Sequence, residues 1–296
     1  LINNLRLFDI PLIVVDQDPS AVGFDYSDFK VVESTYDPNP ILKSLSEQGL
    51  FSQITSIIVK SSGQPLVAAA YVSEALKIPF ITGNNANQII NKNLLYQSCQ
   101  ESGILTPKLF KIDGPIEYPV VVKPSLSQVS KVGITLVQKE DQFLDAVKYA
   151  KSFAVKNQVN IGQYVDGTDY TFIFLNNKPI VCLEQISSGE PYFYSKGFSY
   201  KKGKQFFEDV IPIVESLIKK FNIENSLIQM DFKYHQNQLY LLEVHLDYGG
   251  DLIFDQFLGK VFGSDFFQKV ITCHLYPQKH HLDLTYPNES IEITWD

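Results

Sequence analysis

Apolar runs of strand length, separated by helical stretches, organise the first third of the chain. Pro11–Val15 (PLIVV) reads as a short buried strand ending in Asp16-Gln17-Asp18-Pro19. Ile54–Val59 reads as a second strand, followed by Lys60-Ser61-Ser62-Gly63 and a helix through Val67–Leu76. Pro79–Thr82 reads as a third strand, closed by Gly83. Short apolar strands alternating with helices predict an open parallel sheet, which takes ligands outside the carboxyl ends of its strands. Asn84–Glu101 reads as one helix, with an apolar stripe of Ile89, Ile90, Leu94 and Leu95 and Gly103 as terminator.

From Tyr118 onward the pattern changes to an α+β one. Strands are expected at Val120–Lys123, Gly133–Val137, Ile161–Val165 and Tyr170–Leu175, with helices at Glu140–Phe153 and Gln205–Phe221. A strand pair, Leu227–Tyr234 and Leu239–His245, precedes a helical region over Asp255–Tyr276. A turn at Gln236-Asn237-Gln238 sets a register in which Asp231 faces Glu243 and Gln229 faces His245. Asp231, Glu243 and His245 then share one face, and Ile228, Met230, Phe232, Leu242 and Val244 the other. Facing carboxylates repel unless a positive charge lies between them. A divalent cation, Mg²⁺ for hard oxygen ligands, is one answer; an exposed face on which Lys233 neutralises the acids is the other.

Composition narrows the classes. The chain has 296 residues, 45% hydrophobic, enough for about two domains or lobes. A net charge of −8 lacks the basic excess of a general nucleic-acid backbone binder. No apolar run approaches the ~20 residues of a membrane span, and no signal peptide opens the sequence. Cys99, Cys182 and Cys273 are too few and too scattered for a disulfide scaffold or a CxxC metal site. A cytoplasmic protein without nucleic-acid or membrane partners is expected. The chain opens at Leu1 inside a helical stretch, so an N-terminal piece is expected to precede it. Arg6 is the single arginine, so bound anions must be held by lysines, histidines, helix ends or metal.

Two further segments carry candidate chemistry. Pro119–Pro124 (PVVVKP) puts Lys123 at the end of an apolar strand, where its ammonium could meet a phosphate. The loop Ser125–Gly133 could cover a polyphosphate with hydroxyls and backbone N–H groups, or be an ordinary hairpin connection. Pro191–Tyr200 is aromatic and either lines an acceptor pocket or packs a lobe edge. His274, His280 and His281 read as a surface or terminal cluster, and Cys182 has no adjacent base.

Taken in chain order, these motifs resemble the ATP-grasp superfamily of carboxylate–amine or –thiol ligases, biotin carboxylase and D-alanine–D-alanine ligase among them. The matching segments are Lys92–Leu95 with Gly103–Pro107, Tyr118–Pro124, Gln163–Asp169 (QYVDGTD), Asp231, Leu242–Val244 and Gly249-Gly250-Asp251. The resemblance implies an α/β protein: an N-terminal parallel-sheet, Rossmann-like (pre-ATP-grasp) domain followed by a two-lobed α+β ATP-grasp domain. Its parts would be a sheet domain over 1–83 lacking its first strand, a linking helix over 84–111, a small lobe over 112–185 and a C-terminal lobe with the metal site over 186–296.

By resemblance, Lys92 and Lys123 would contact ATP phosphates, and Ser130 and Lys131 would sit in the phosphate-covering loop. Gln163, Tyr164 and Val165 would read adenine, largely through backbone atoms, and Asp169 the ribose. Asp231, Glu243 and His245 would hold Mg²⁺ or Mn²⁺, with Lys131 and His245 in catalytic roles. Tyr248, Gly249, Gly250 and Asp251 would touch substrate. The implied reaction phosphorylates a small carboxylate with ATP and lets an amine or thiol displace phosphate; the sequence leaves a homodimer open. Three departures point to an alternative, a nucleotide-binding sensor or partner subunit with reduced or lost catalysis. His245 replaces the usual asparagine, Asp247 the usual arginine, and the covering loop lacks its usual glycines.

Overall fold

The computed structural model describes residues 1–127, 132–188, 195–203, 207–249 and 253–294. These residues form two compact units. One comprises residues 1–86, 221–228 and 246–288; the other comprises 87–220, 229–245 and 289–296.

The first unit begins with a short helix, α1 (Ile2–Leu5), and two strands, β1 (Ile13–Asp16) and β2 (Phe29–Val32), paired in parallel. Helix α2 (Pro38–Glu47) starts where the Asp37 side chain accepts from Asn39 N, and α3 (Gln64–Leu76) follows. Val31, Ile41, Leu45, Leu50 and Val72 form the core beneath them. The predicted strands at Ile54–Val59 and Pro79–Thr82 are corrected: neither segment joins a ladder. Ile54 and Ile57 still pack on the core, so the apolar run reports burial while strand pairing has no partner among the described residues.

The expected single helix over Asn84–Glu101 is two, α4 (Gly83–Ile90) and α5 (Lys92–Glu101). Asn91 breaks it: its backbone is extended, and its side chain accepts from Asn93 N and Leu94 N, the N-cap geometry that satisfies orphan donors of a helix start.

In the second unit β3 (Val120–Pro124) lies between β4 (Thr135–Val137) and β5 (Val159–Gln163), both antiparallel to it. Val120 and Val122 pack with Phe143, Ala146, Val147 and Ala150 of α6 (Phe143–Phe153). Alternation puts Lys123 on the opposite face. Gly133 precedes β4 at φ +72°, where an added Cβ would press on Pro124 and Phe153.

The larger sheet contains β6 (Thr168–Leu175), β7 (Lys178–Ser187), β8 (Ser195–Tyr200), β9 (Leu227–His235), β10 (Gln238–His245) and β11 (Ile291–Thr294). Its order is β10-β9-β6-β7-β8-β11. Helix α7 (Phe207–Phe221) covers one face, where Phe207 meets Phe172 and Phe174 and where Phe172 also packs edge-on to Phe232.

The C-terminal segment returns to the first unit as a π-helical turn at Ile253–Phe257, α8 (Leu258–Phe262) and α9 (Phe266–Leu275). No helix among the described residues is long and apolar enough to cross a membrane.

Candidate active site

The β9–β10 hairpin sets the centre of the site. Its turn is the two-residue Gln236-Asn237, both at positive φ, one residue tighter than the sequence suggests. Near the turn Leu241 therefore pairs with Phe232. A bulge at Leu242 then restores the expected partners, Glu243 with Asp231 and His245 with Gln229. The bulge also corrects the apolar face: Leu239, Leu241 and Val244 are buried, whereas Leu242 is only partly so and offers its carbonyl to Tyr96 Oη at 3.1 Å.

Two lysines approach Glu243 and Asp231. Lys92 opens α5, and its Nζ lies 3.3 Å from Glu243 Oε1. Asn91, Asn93, Ser125 and Asn160 fix that helix start to the β3 and β5 strands. Ser125 Oγ donates to Asn91 Oδ1, Lys92 N donates to Ser125 O, and Asn160 Nδ2 donates to Asn93 Oδ1. Lys123 Nζ stands 5.8 Å from the centre of the Tyr96 ring. Burial pushes the Lys123 pKa down, while the Glu243 and Asp231 charges oppose the shift. Burial works against the Glu243 charge, yet Lys92, the His245 hydrogen bond and Lys123 hold its carboxyl well below the usual range. His245 Nε2 is 3.4 Å from Glu243 Oε2.

The polar face continues across the sheet. Asp231 Oδ1 accepts from Thr171 Oγ1 at 2.6 Å and Gln185 Nε2 at 3.3 Å. Lys233 Nζ donates to Asp169 Oδ2 at 2.7 Å. Thr171, Gln185 and the Asn91–Ser125–Asn160 group were not singled out from sequence. The available signal was polar residues at alternate positions of otherwise apolar strands: Asp169 and Thr171, Gln185 and Ser187, Asp231 and Lys233.

Gln163 and Tyr164 have their backbone N–H groups committed to Lys108 O and Pro119 O, and Val165 is buried. In the first unit Asp247 is a buried turn residue whose Oδ1 accepts from Ser62 Oγ and Gly249 N. Tyr248 is a core ring against Phe254, Phe267 and His274. His274 is buried too, which corrects the surface histidine cluster; His280 and His281 are exposed. Ser130, Lys131, Gly250, Asp251, Pro191–Tyr194 and Gln205 lie outside the described residues. Among those described, no three His, Cys, Asp or Glu side chains gather as a metal cluster.

A family model, D-ala D-ala ligase C-terminus, matches residues 97–244, from within α5 to strand β10. The chain belongs to that family. The D-alanine–D-alanine ligase of Rickettsia akari is 28% identical over 155 residues, 48% of this chain and 47% of that protein. The chain spans between about a quarter and a half of the length of the curated relatives it matches. Among solved structures, an L-amino acid ligase from Bacillus licheniformis superposes with a TM-score of 0.74 at 15% identity, covering 93% of this chain and 70% of that one. An N5-carboxyaminoimidazole synthetase from Staphylococcus aureus, solved with ADP, gives 0.73 at 12% identity over 98% and 75%. These likenesses establish the ATP-grasp fold expected from the motifs.

Proposed function

We propose that the chain is an ATP- and Mg²⁺-dependent ligase that activates a small carboxylate as an acyl phosphate and joins it to an amine. The observation that carries this reading is the convergence of Lys92, Lys123, Asp231 and Glu243 at one end of a polar sheet face, in a chain of the D-ala D-ala ligase family.

Mg²⁺ is commonly held by one or two carboxylates, with phosphate oxygens and water completing its octahedron. Asp231 and Glu243, paired on adjacent strands, fit that donor set without a third protein ligand. Bound there, the ion would neutralise phosphate charge as the γ-phosphoryl group is transferred. Lys92, now beside Glu243, and Lys123, held over Tyr96, would bind the phosphate oxygens. Thr171 and Gln185 fix the orientation of Asp231. An adenine ring nitrogen would take a backbone N–H beyond Tyr164, because the N–H groups of Gln163 and Tyr164 are already bonded. Asp169 would accept from the ribose.

A second reading, a nucleotide binder with reduced catalysis, is favoured by one contact. His245 places a ring nitrogen at a Glu243 oxygen that could otherwise face a hard cation. Incubating the protein with MgATP, mixed amino acids and hydroxylamine separates the two. An acyl phosphate would be trapped as a hydroxamate with stoichiometric ADP. Binding without ADP or hydroxamate selects the second reading, and absence of nucleotide binding contradicts both.

A further inference from the structure

Beyond Asp231 the polar face carries a second hydrogen-bonded row. Lys233 lies two residues further along β9, a step of about 7 Å. Its Nζ donates to Asp169 Oδ2 at 2.7 Å and to Gly167 O at 3.2 Å. Ser187 Oγ of β7 donates to the same Oδ2 at 3.2 Å. The Lys233 and Asp169 side chains are only 16% and 22% exposed, so solvent screens this pair less than a surface ion pair.

The backbone beneath the row is equally constrained. Gly167 has φ +155°, and a Cβ there would overlap Tyr234 O. The turn before β6 therefore touches β9 main chain on one side and is tied by the Lys233 ammonium on the other. This placement commits the Lys233 ammonium to Asp169 and to the turn before β6.

The bonds to Asp169 fall on one oxygen. Oδ1 accepts from no described residue, while Oδ2 is fixed from two strands. A carboxylate held in this way has one orientation in which to meet a hydroxyl donor. Its charge is also compensated before any ligand arrives, so the site need not carry an unpaired buried anion.

We propose that Lys233 is a positioning residue that gives the nucleotide site its preference for ribose over deoxyribose. This rests on the nucleotide reading of Asp169 above. A ligand lacking the hydroxyl leaves the aimed carboxylate oxygen unpaired, the situation in which polar sites discriminate most strongly.

The test is competition binding of ATP, 2′-deoxy-ATP and 3′-deoxy-ATP to the wild type and to Lys233→Met, Lys233→Arg and Asp169→Asn, with thermal melts alongside. The wild type should prefer ATP over at least one deoxy analogue by about tenfold or more. Lys233→Met should reduce that preference to within about threefold, as should Asp169→Asn, while Lys233→Arg restores part of it. A merely structural lysine would lower the melting temperature and leave the ratio unchanged, which overturns the proposal. Equal binding of all three nucleotides by the wild type overturns it as well and leaves the nucleotide reading standing. If the wild type binds none, the nucleotide reading itself fails. Should Lys233→Met not fold, a Lys233→Arg ratio between those of the wild type and Asp169→Asn supports the role, and a Lys233→Arg or Asp169→Asn ratio equal to wild type overturns it.

Discussion

Tyr96 and Tyr248 are each 1% exposed, but Tyr96 Oη donates to Leu242 O, whereas Tyr248 Oη has no partner among the described residues. Burial raises the pKa of both, so both stay neutral. Tyr96 lies in the second unit, where its hydrogen bond ties α5 to the β10 bulge and its ring carries Lys123. Tyr248 lies in the first unit, packed among Phe254, Phe267 and His274, whose Nδ1 also lacks a described partner. The contrast separates two uses of burial. In one region the polar end of an aromatic ring positions charge; in the other, apolar packing holds polar atoms without matching them.

The largest way to test that contrast is at the charged end. Asp231→Asn keeps the side-chain shape and the sheet but removes the carboxylate charge, and ligase turnover should fall by at least about a hundredfold. The melting temperature should stay near that of the wild type. Equal losses of stability and turnover would mean that Asp231 is a core residue only.

Next in size, Lys92→Met and Lys123→Met should each weaken ATP binding by about tenfold to a hundredfold, as expected for hydrogen bonds to charged groups. Lys92→Met has a second signature. Glu243 loses its strongest source of stabilising charge, so its carboxyl should titrate closer to the ordinary range, visible by carbon-13 NMR.

The first unit should respond to acid instead. Burial pushes His274 down to about 4, against the opposing effect of its hydrogen bond to Ile57 O. The fold prefers the neutral ring, so its contribution is complete above the unfolded value of 6.5 and is lost as pH falls toward 4. That shift corresponds to about 3 kcal/mol. Urea melts between pH 7 and 4 should show this slope in the wild type and lose that part of it in His274→Phe.

The smallest effects lie in the tyrosine hydroxyls. Tyr96→Phe should cost about 1 kcal/mol, and Tyr248→Phe should be neutral or slightly stabilising. Equal costs would show that Tyr248 Oη has a partner, such as an ordered water.

The Asp231–Glu243 pairing was legible because strand alternation and a short turn leave few registers. It was reached through two compensating errors, a turn one residue too long and an unseen bulge at Leu242. The alternation that turns Lys123 away from Val120 and Val122 was equally readable. The α4–α5 break was not, because Asn91 falls between Ile90 and Leu94 of one apolar stripe, and its side chain is also held by Ser125, 34 residues away. Strand β7 was missed because its buried centre, Ile180–Leu183, lacks alternation and resembles any short apolar run. Ile54–Val59 shows the reverse: apolarity predicts burial, but a ladder also needs a neighbour. The Lys233–Asp169 pair depends on β9 lying beside β6, a sheet order that no local pattern encodes.

The central claim is that Asp231 and Glu243, with Lys92 and Lys123, form a metal–phosphate site. Calorimetric titration of ATP with and without Mg²⁺, on wild type and Asp231→Asn, tests it most directly. Binding that Mg²⁺ tightens in the wild type but not in Asp231→Asn is the predicted result. Nucleotide binding indifferent to Mg²⁺ in both proteins, or no binding in the wild type, would contradict it.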